Sequence, residues 1–198
     1  MKQLDIDNWY KSKIDKKVYK QLTKRSDWQG LKHVSVWIFF LILSGYIAYL
    51  SWGTWWAIPA FLVYGNIFMA CNPVWHECGH RTAFKTRWLN ELFYHIGSFL
   101  YNFEPVRWRW SHFHHHSYTL HTNPYDYEVQ VTKPTDLFYV FLMHLPGGNL
   151  LLIFKGILSF HWETIKHAVG ITTPVMKDCI PKNERSKCRF FSRLHISI

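Results

Sequence analysis

The pattern of hydrophobic positions along the chain begins with two long uncharged runs. The first, Val34 to Leu50, reads VSVWIFFLILSGYIAYL, and the second extends from Thr54 to Trp75 after a short break at 51–53. A helix needs about 20 apolar residues to cross the hydrocarbon of a bilayer, so the first run is marginal and the second is adequate. Because the break is short, the pattern predicts a tight helical hairpin, either in a membrane or buried in a soluble helical core.

A later apolar segment, Leu89 to Tyr101, is too short to cross a bilayer. It predicts a helix that lies in the membrane interface or folds against a neighbouring site. We therefore predict an all-α membrane protein with one transmembrane helical hairpin plus cytoplasmic or interfacial helices. Its expected segments are a basic cytoplasmic N-terminal part (1–33), the hairpin (34–75), a cytoplasmic histidine-rich region with interfacial helices (76–176) and a basic tail (177–198).

Basic residues set the expected orientation. The chain has 23 Lys and Arg against 13 Asp and Glu, a formal net charge of +10. The loop between the runs has no basic residue, the first 33 residues are rich in lysine, and more basic residues follow the second run: Arg81, Lys85, Arg87, Arg107 and Arg109. The positive-inside rule then places the N-terminus and everything after Trp75 in the cytoplasm. Since the basic residues flank apolar runs, the charge favours lipid headgroups or an acidic protein, and not nucleic acid, as partners.

Two histidine motifs follow the predicted hairpin. In HECGH, His76 and His80 are four residues apart, a spacing that puts both on one face of a helix. The segment SHFHHHSYTLH places three more imidazoles on one helix face at the spacing i, i+3, i+4: His112, His115 and His116. His121 lies further along and is a possible extra ligand if the helix continues. Imidazole is a ligand for Zn, Cu, Fe and Ni, so the motifs predict a metal site.

The first motif has an alternative interpretation. H-E-x-x-H is the signature of zinc metallopeptidases, in which His76 and His80 would bind zinc and Glu77 would be the general base. A membrane-embedded peptidase of that kind needs one more ligand, and Asp126 is available. This hypothesis accounts for the first motif and leaves the second without a role.

The two motifs together, HECGH and SHFHHHSYT, resemble the first two histidine boxes of the membrane fatty acid desaturase superfamily, H-x-x-x-H and H-x-x-H-H. The resemblance extends over residues 34–130. It implies a di-iron centre that uses O2 to introduce a double bond into the acyl chain of a lipid, although related acyl hydroxylases share these boxes. The ligands that the resemblance implies are His76, His80, His112, His115 and His116.

The resemblance also implies partners and supporting groups. A desaturase takes a fatty acyl substrate from membrane lipid and receives electrons from a small donor protein of the cytochrome b5 or ferredoxin class. Carboxylates outside the ligand set are expected to orient and tune the imidazoles. The candidates for that role are Glu77, Glu104, Asp126 and Glu128.

One element of the resemblance is missing from the sequence. The superfamily has a third box, H-x-x-H-H or Q-x-x-H-H, after a second pair of spans. The histidines beyond Leu120 do not have that spacing: His121, His144, His161, His167 and His195. We therefore expect an incomplete, N-terminal part of such an enzyme, inactive by itself.

Overall fold

The computed structural model of the chain describes residues 13–118, 137–138, 141, 158 and 161–197. Every regular element in these ranges is a helix. The chain divides into two compact units, Met1–Tyr101 and Asn102–Ile198. The prediction of an all-α chain is confirmed for the described residues.

The first unit contains five helices. They are α1 (Lys16–Leu22), α2 (Asp27–Leu50), α3 (Ala57–Met69), α4 (Cys71–Gly79) and α5 (Arg87–Leu100). Two stretches, Lys16–Leu50 and Ala57–Gly79, are long and apolar enough to cross a membrane by length and composition.

Helix α2 begins at Asp27, earlier than the apolar run that starts at Val34. Ser26 is the N-cap, and its hydroxyl faces the backbone N–H of Gln29 at 3.5 Å. The Asp27 carboxylate accepts hydrogen bonds from the backbone N–H and the hydroxyl of Thr86, both at 2.7 Å. The start of α2 is therefore fixed to the loop before α5 by a contact between residues far apart in sequence.

Helices α2 and α3 contact each other at Trp37 and at Gly45. The indole N–H of Trp37 donates to the carbonyl of Ile67 at 2.9 Å. A Cβ added to Gly45 would lie 3.1 Å from the ring of Tyr64, so the glycine allows the ring to approach the α2 backbone. Small residues at helix contacts permit such close backbone approach.

The second predicted run divides into two helices at Ala70, and the first histidine motif lies on the shorter one, α4. Pro73 explains the break, because it has no N–H to donate to the carbonyl of Met69 and its ring crowds the preceding turn. Proline is tolerated in the first turn of α4, where backbone N–H groups have no intrahelical partner.

Trp75 fixes α4 to α5. Its indole N–H donates to the hydroxyl of Ser98 at 2.6 Å, and its ring stacks against Tyr94 and Tyr101 at centroid distances of 6.3 and 5.3 Å. Gly97 allows this approach, since a Cβ there would lie 2.6 Å from the Cβ of Trp75. Trp75 immediately precedes His76, so this contact sets the position of the first motif.

Substituting Gly97 by alanine is expected to destabilise the protein by about 1–3 kcal/mol, because the added methyl group overpacks the contact with Trp75. The matched control is Gly65→Ala in α3, where an added Cβ meets nothing within 4 Å. The control should be neutral or stabilising by up to about 1 kcal/mol through helix propensity. Thermal unfolding of the detergent-solubilised chain measures both, and equal effects would contradict the packing of α4 on α5.

The second unit has helices α6 (Pro105–Tyr118), α7 (residues 161–168), α8 (Pro174–Asp178) and α9 (Arg185–Ile196), with a 3₁₀ turn at Lys182–Glu184. Helices α6 and α9 contact each other. The described core contains Val106, Val175, Met176, Cys179, Ile180 and Cys188, with Trp110 and Phe191 against it. The segment predicted as a basic tail thus contains a packed helix, with Cys188 and Ser192 buried on its inner face.

Candidate metal centre

The first histidine motif lies at the C-terminal end of α4. The backbone N–H of Arg81 donates to the carbonyl of Cys78, and that of Thr82 donates to the carbonyl of Glu77, both at 3.0 Å. These two bonds, with Arg81 at φ 61°, form a Schellman motif that ends the helix at Gly79. His80 is the C-cap residue, so the helix termination fixes its backbone.

The rings of His76 and His80 come together as their spacing predicts. Their centroids are 4.7 Å apart at an interplanar angle of 78°, and one ring nitrogen of each lies within 4.8 Å of the other. Both residues are partly exposed. The pair can therefore present nitrogen atoms to a common metal.

Glu77 is held beside this pair by other contacts. One carboxylate oxygen accepts a hydrogen bond from the Thr82 hydroxyl at 2.6 Å, and the other lies 3.7 Å from Nδ1 of His76. A separation of 3.7 Å is too long for a hydrogen bond. Glu77 also lines a cavity of the first unit whose walls include neither His76 nor His80.

The second motif lies on α6. His112 is buried, and its ring stacks on Trp108 at a centroid distance of 4.4 Å. Its Nε2 lies 3.1 Å from Nε2 of His116. The ring of His115 is stacked with that of His112 at a centroid distance of 5.9 Å. The spacing i, i+3, i+4 thus gathers three imidazoles, as predicted, with His112 and His116 in the closest contact.

The donor set of this motif fits a metal ion. Imidazole nitrogen binds a first-row metal such as zinc at about 2.0–2.1 Å, so two nitrogens bound at a right angle are about 3 Å apart. The distance of 3.1 Å between the Nε2 atoms of His112 and His116 agrees with adjacent ligands on one ion. The stacking on Trp108 holds His112 in this orientation.

Glu104, predicted as a supporting carboxylate, acts structurally as the N-cap of α6. Its two carboxylate oxygens accept hydrogen bonds from the backbone N–H groups of Val106 at 3.0 Å and Arg107 at 2.6 Å, and the thiol of Cys188 lies 3.3 Å from one of them. Burial raises the pKa of the Glu104 carboxyl. The hydrogen bond from the backbone N–H of Arg107 and the charge of Arg107 lower that pKa, but by less. Its influence on the histidines is exerted through the start of their helix.

Three further predicted residues, His121, Asp126 and Glu128, lie outside the described residues. Their assignment as an extra ligand and as supporting carboxylates stays a prediction. Arg107, considered from the sequence as a cytoplasmic basic residue, is buried in the second unit and donates to the hydroxyl of Thr164 at 3.1 Å.

A buried polar cluster behind α6 was not predicted. His167 is buried, with Nε2 2.7 Å from the hydroxyl of Thr173 and Nδ1 3.7 Å from the thiol of Cys188. Burial, together with the charge of Arg107, lowers the pKa of His167 from 6.5 to about 4. No local spacing pairs His167 with residues of α9, so only the tertiary structure reveals this cluster.

The lowered pKa of His167 predicts acid sensitivity. Between pH 6.5 and about 4 the unfolded chain binds a proton that the folded chain excludes, so the free energy of unfolding falls as the pH falls, by about 3 kcal/mol over the whole window. His167→Gln should reduce the loss of thermal stability between pH 7 and pH 5, whereas His33→Gln, at an exposed position, should leave it unchanged. An unaltered loss in His167→Gln would contradict this assignment.

Long apolar helices, together with two sets of imidazoles on helix faces, define a helical protein of the histidine-box class. A family model described as fatty acid desaturase matches residues 50–178. The chain belongs to the fatty acid desaturase family. The members of this family are oxidoreductases of lipid metabolism.

Individual relatives agree with the family. The sn-1 oleoyl-lipid 12-desaturase of Synechocystis sp. is 31% identical over 140 residues, covering 67% of this chain and 37% of that protein. The Delta(12) fatty acid dehydrogenase of Crepis alpina is 30% identical over 126 residues, covering 60% and 31%. The sn-1 acyl-lipid omega-3 desaturase (ferredoxin) of Nostoc sp. is 32% identical over 104 residues, covering 47% and 29%. The chain thus spans about a third of the length of these relatives. No solved structure matches it.

Proposed function

We propose that the chain is the N-terminal, metal-binding part of an acyl-lipid desaturase, an oxidoreductase that introduces a double bond into a fatty acyl chain with O2 and a di-iron centre. The observation that carries this proposal is the pair of motifs HECGH and SHFHHHSYT, each with its imidazoles gathered on one helix face. Five ligands follow from it: His76, His80, His112, His115 and His116.

The proposal places the hairpin of residues 34–75, which is formed by α2, α3 and the first part of α4, across a membrane. Support comes from the outward-facing surface of these helices, where large apolar side chains such as Phe39 and Ile42 are exposed. The core helix of a soluble protein would bury such side chains. Trp52, Trp55 and Trp56 are exposed at the turn between the helices, in agreement with an aromatic belt at the membrane surface.

The orientation follows from charge. The turn between α2 and α3 has no basic residue, whereas Lys and Arg are frequent before α2 and after α4. We propose on this basis that the N-terminus and both histidine motifs face the cytoplasm. A basic cytoplasmic surface would attract a small acidic electron donor of the cytochrome b5 or ferredoxin class.

The residues of the chain would hold and orient the metals, and the metals would carry out the oxidation. An unactivated methylene offers no acidic proton, so side-chain acid–base chemistry cannot remove its hydrogens. An iron pair, when it is bound to the protein, would supply the O2-dependent oxidation. The imidazoles hold the metals, Trp108 orients His112, and the Schellman motif orients His80. Further ligands would come from His121 or from the part of the relatives that this chain does not cover.

The position of Glu77 disfavours the zinc metallopeptidase. A general base must reach the water bound to the metal. The Glu77 carboxylate instead accepts from Thr82 and lines a cavity that His76 and His80 do not line. The second histidine motif also has no role in that mechanism.

The test is a chimera in which residues 1–178 are followed by the part of the Synechocystis relative that lies beyond the matched region. The host is a cell without acyl-lipid desaturases, and its fatty acids are analysed by gas chromatography. We expect new double bonds from the chimera and none from the 198-residue chain alone. Hydroxylated acyl chains in place of the double bonds would assign the chain to the acyl hydroxylases. A chimera that still desaturates after both histidine motifs are removed would refute the proposal.

A further inference from the structure

We propose that a cavity of the first unit, bounded by α1, the start of α2 and α4, binds one anionic phospholipid. The inference rests on the proposed membrane insertion of α2 and α3. It adds to the proposed function a lipid site that is separate from the histidine motifs.

One wall of the cavity is apolar. Its volume is ≈ 840 Å³, and Leu22, Val34 and Val74 are among its lining residues. This volume is in the range of cavities that bind small ligands, about 300–1,000 Å³. Tyr19 and Leu22 of α1 also line the cavity, yet they are 57% and 79% exposed. The apolar face of α1 therefore borders open space that an acyl chain can fill.

The other wall is cationic. Lys24 and Arg25 line the cavity, and among the described residues that line it Glu77 is the one carboxylate, which accepts a hydrogen bond from Thr82. On α1 the lysines 16, 17 and 20 occupy the face opposite to the apolar residues 18, 19 and 22, at 3.6 residues per turn. A basic helix with one apolar face is the form of helix that lies on anionic membrane surfaces.

The location of the cavity agrees with a lipid headgroup. Lys24 and Arg25 immediately precede α2, whose apolar run begins at Val34 within the same cavity wall. A phospholipid whose phosphate lies beside Lys24 and Arg25 would thus have its acyl chains beside α2. Because neither His76 nor His80 lines the cavity, this lipid would be a bound partner of the protein and not the acyl chain that reacts.

The experiment is native mass spectrometry of the 198-residue chain, released from detergent after incubation with equal amounts of phosphatidylglycerol and phosphatidylcholine. We expect one phosphatidylglycerol to be retained in preference. Each cation near the lipid contributes about fivefold, so Lys24→Gln with Arg25→Gln should reduce the preference roughly 25-fold. Leu22→Gln, at an exposed position where folding is little affected, should weaken the retention of lipid without changing the charge.

The matched control is Lys177→Gln with Lys182→Gln, two exposed lysines of the second unit, which should keep the full preference. Equal retention of both lipids, or the same loss in the control, would overturn the proposal. Displacement of the bound phosphatidylglycerol by glycerol 3-phosphate would assign the site to a soluble phosphate compound and overturn the proposal of a lipid site. Alkaline extraction of membranes tests insertion separately: a chain that stays inserted but shows no preference refutes the lipid site alone, and a chain that is extracted refutes the proposed membrane placement.

Discussion

His112→Ala is expected to abolish desaturation by the chimera. His112 is the buried member of the second motif, and its Nε2 approaches that of His116 to 3.1 Å, so its loss removes a proposed ligand and the ring that stacks on Trp108. Loss of a group that only supports a ligand lowers metal affinity or activity by about 10–100-fold. Loss of the ligand itself should therefore reduce the yield of double bonds to less than about a hundredth, measured by gas chromatography.

Glu77→Gln is the matched control for that experiment. The amide can still accept the hydrogen bond of the Thr82 hydroxyl, so the turn after α4 is preserved. In a desaturase this variant should keep much of the activity that His112→Ala loses. The reverse order, with desaturation lost in Glu77→Gln and kept in His112→Ala, would contradict our assignment of His112 as a ligand.

Glu104→Ala is expected to destabilise the protein by about 3 kcal/mol. The substitution removes the N-cap of α6, which costs about 1 kcal/mol, and leaves the buried backbone N–H groups of Val106 and Arg107 without that acceptor, which costs about 1–3 kcal/mol. Because α6 carries the second motif, metal binding should weaken as well. Thermal unfolding in detergent and metal content measure the two effects.

The control for Glu104 is Asp15, which caps α1 in the same way but at an exposed position. Its carboxylate accepts from the backbone N–H groups of Lys17 and Val18 at 2.7 and 3.1 Å. Asp15→Ala should cost only about 1 kcal/mol, the value of capping without burial. Equal losses of stability in the two variants would show that the burial of Glu104 adds nothing to the stabilisation that an exposed N-cap provides.

Local pattern was sufficient to predict the helices of the hairpin, α5 and the grouping of the histidines. The uncharged runs correspond to α2 and to α3 with the first part of α4, and the segment from Leu89 corresponds to α5. The contacts of His76 with His80 and of His112 with His116 follow from helical periodicity alone, since residues four apart share a face.

Features set by contacts between distant residues were not predictable. The pairing of Asp27 with Thr86 and the burial of His167 against Cys188 depend on the packing of separate helices. The capping role of Glu104 was not predicted either: the following proline marks the first turn of α6, and the side chain caps that helix, while its role as a supporting carboxylate stays a prediction.

The central claim is that both histidine motifs provide ligands to iron. Its most direct test is the metal content of the 198-residue chain purified from cells supplied with iron, compared with His76→Ala and His115→Ala. We predict that the chain retains iron and that each variant loses it, since both motifs contribute ligands. Zinc in place of iron, lost from His76→Ala but retained by His115→Ala, would contradict the claim and favour a hydrolase site built on the first motif alone.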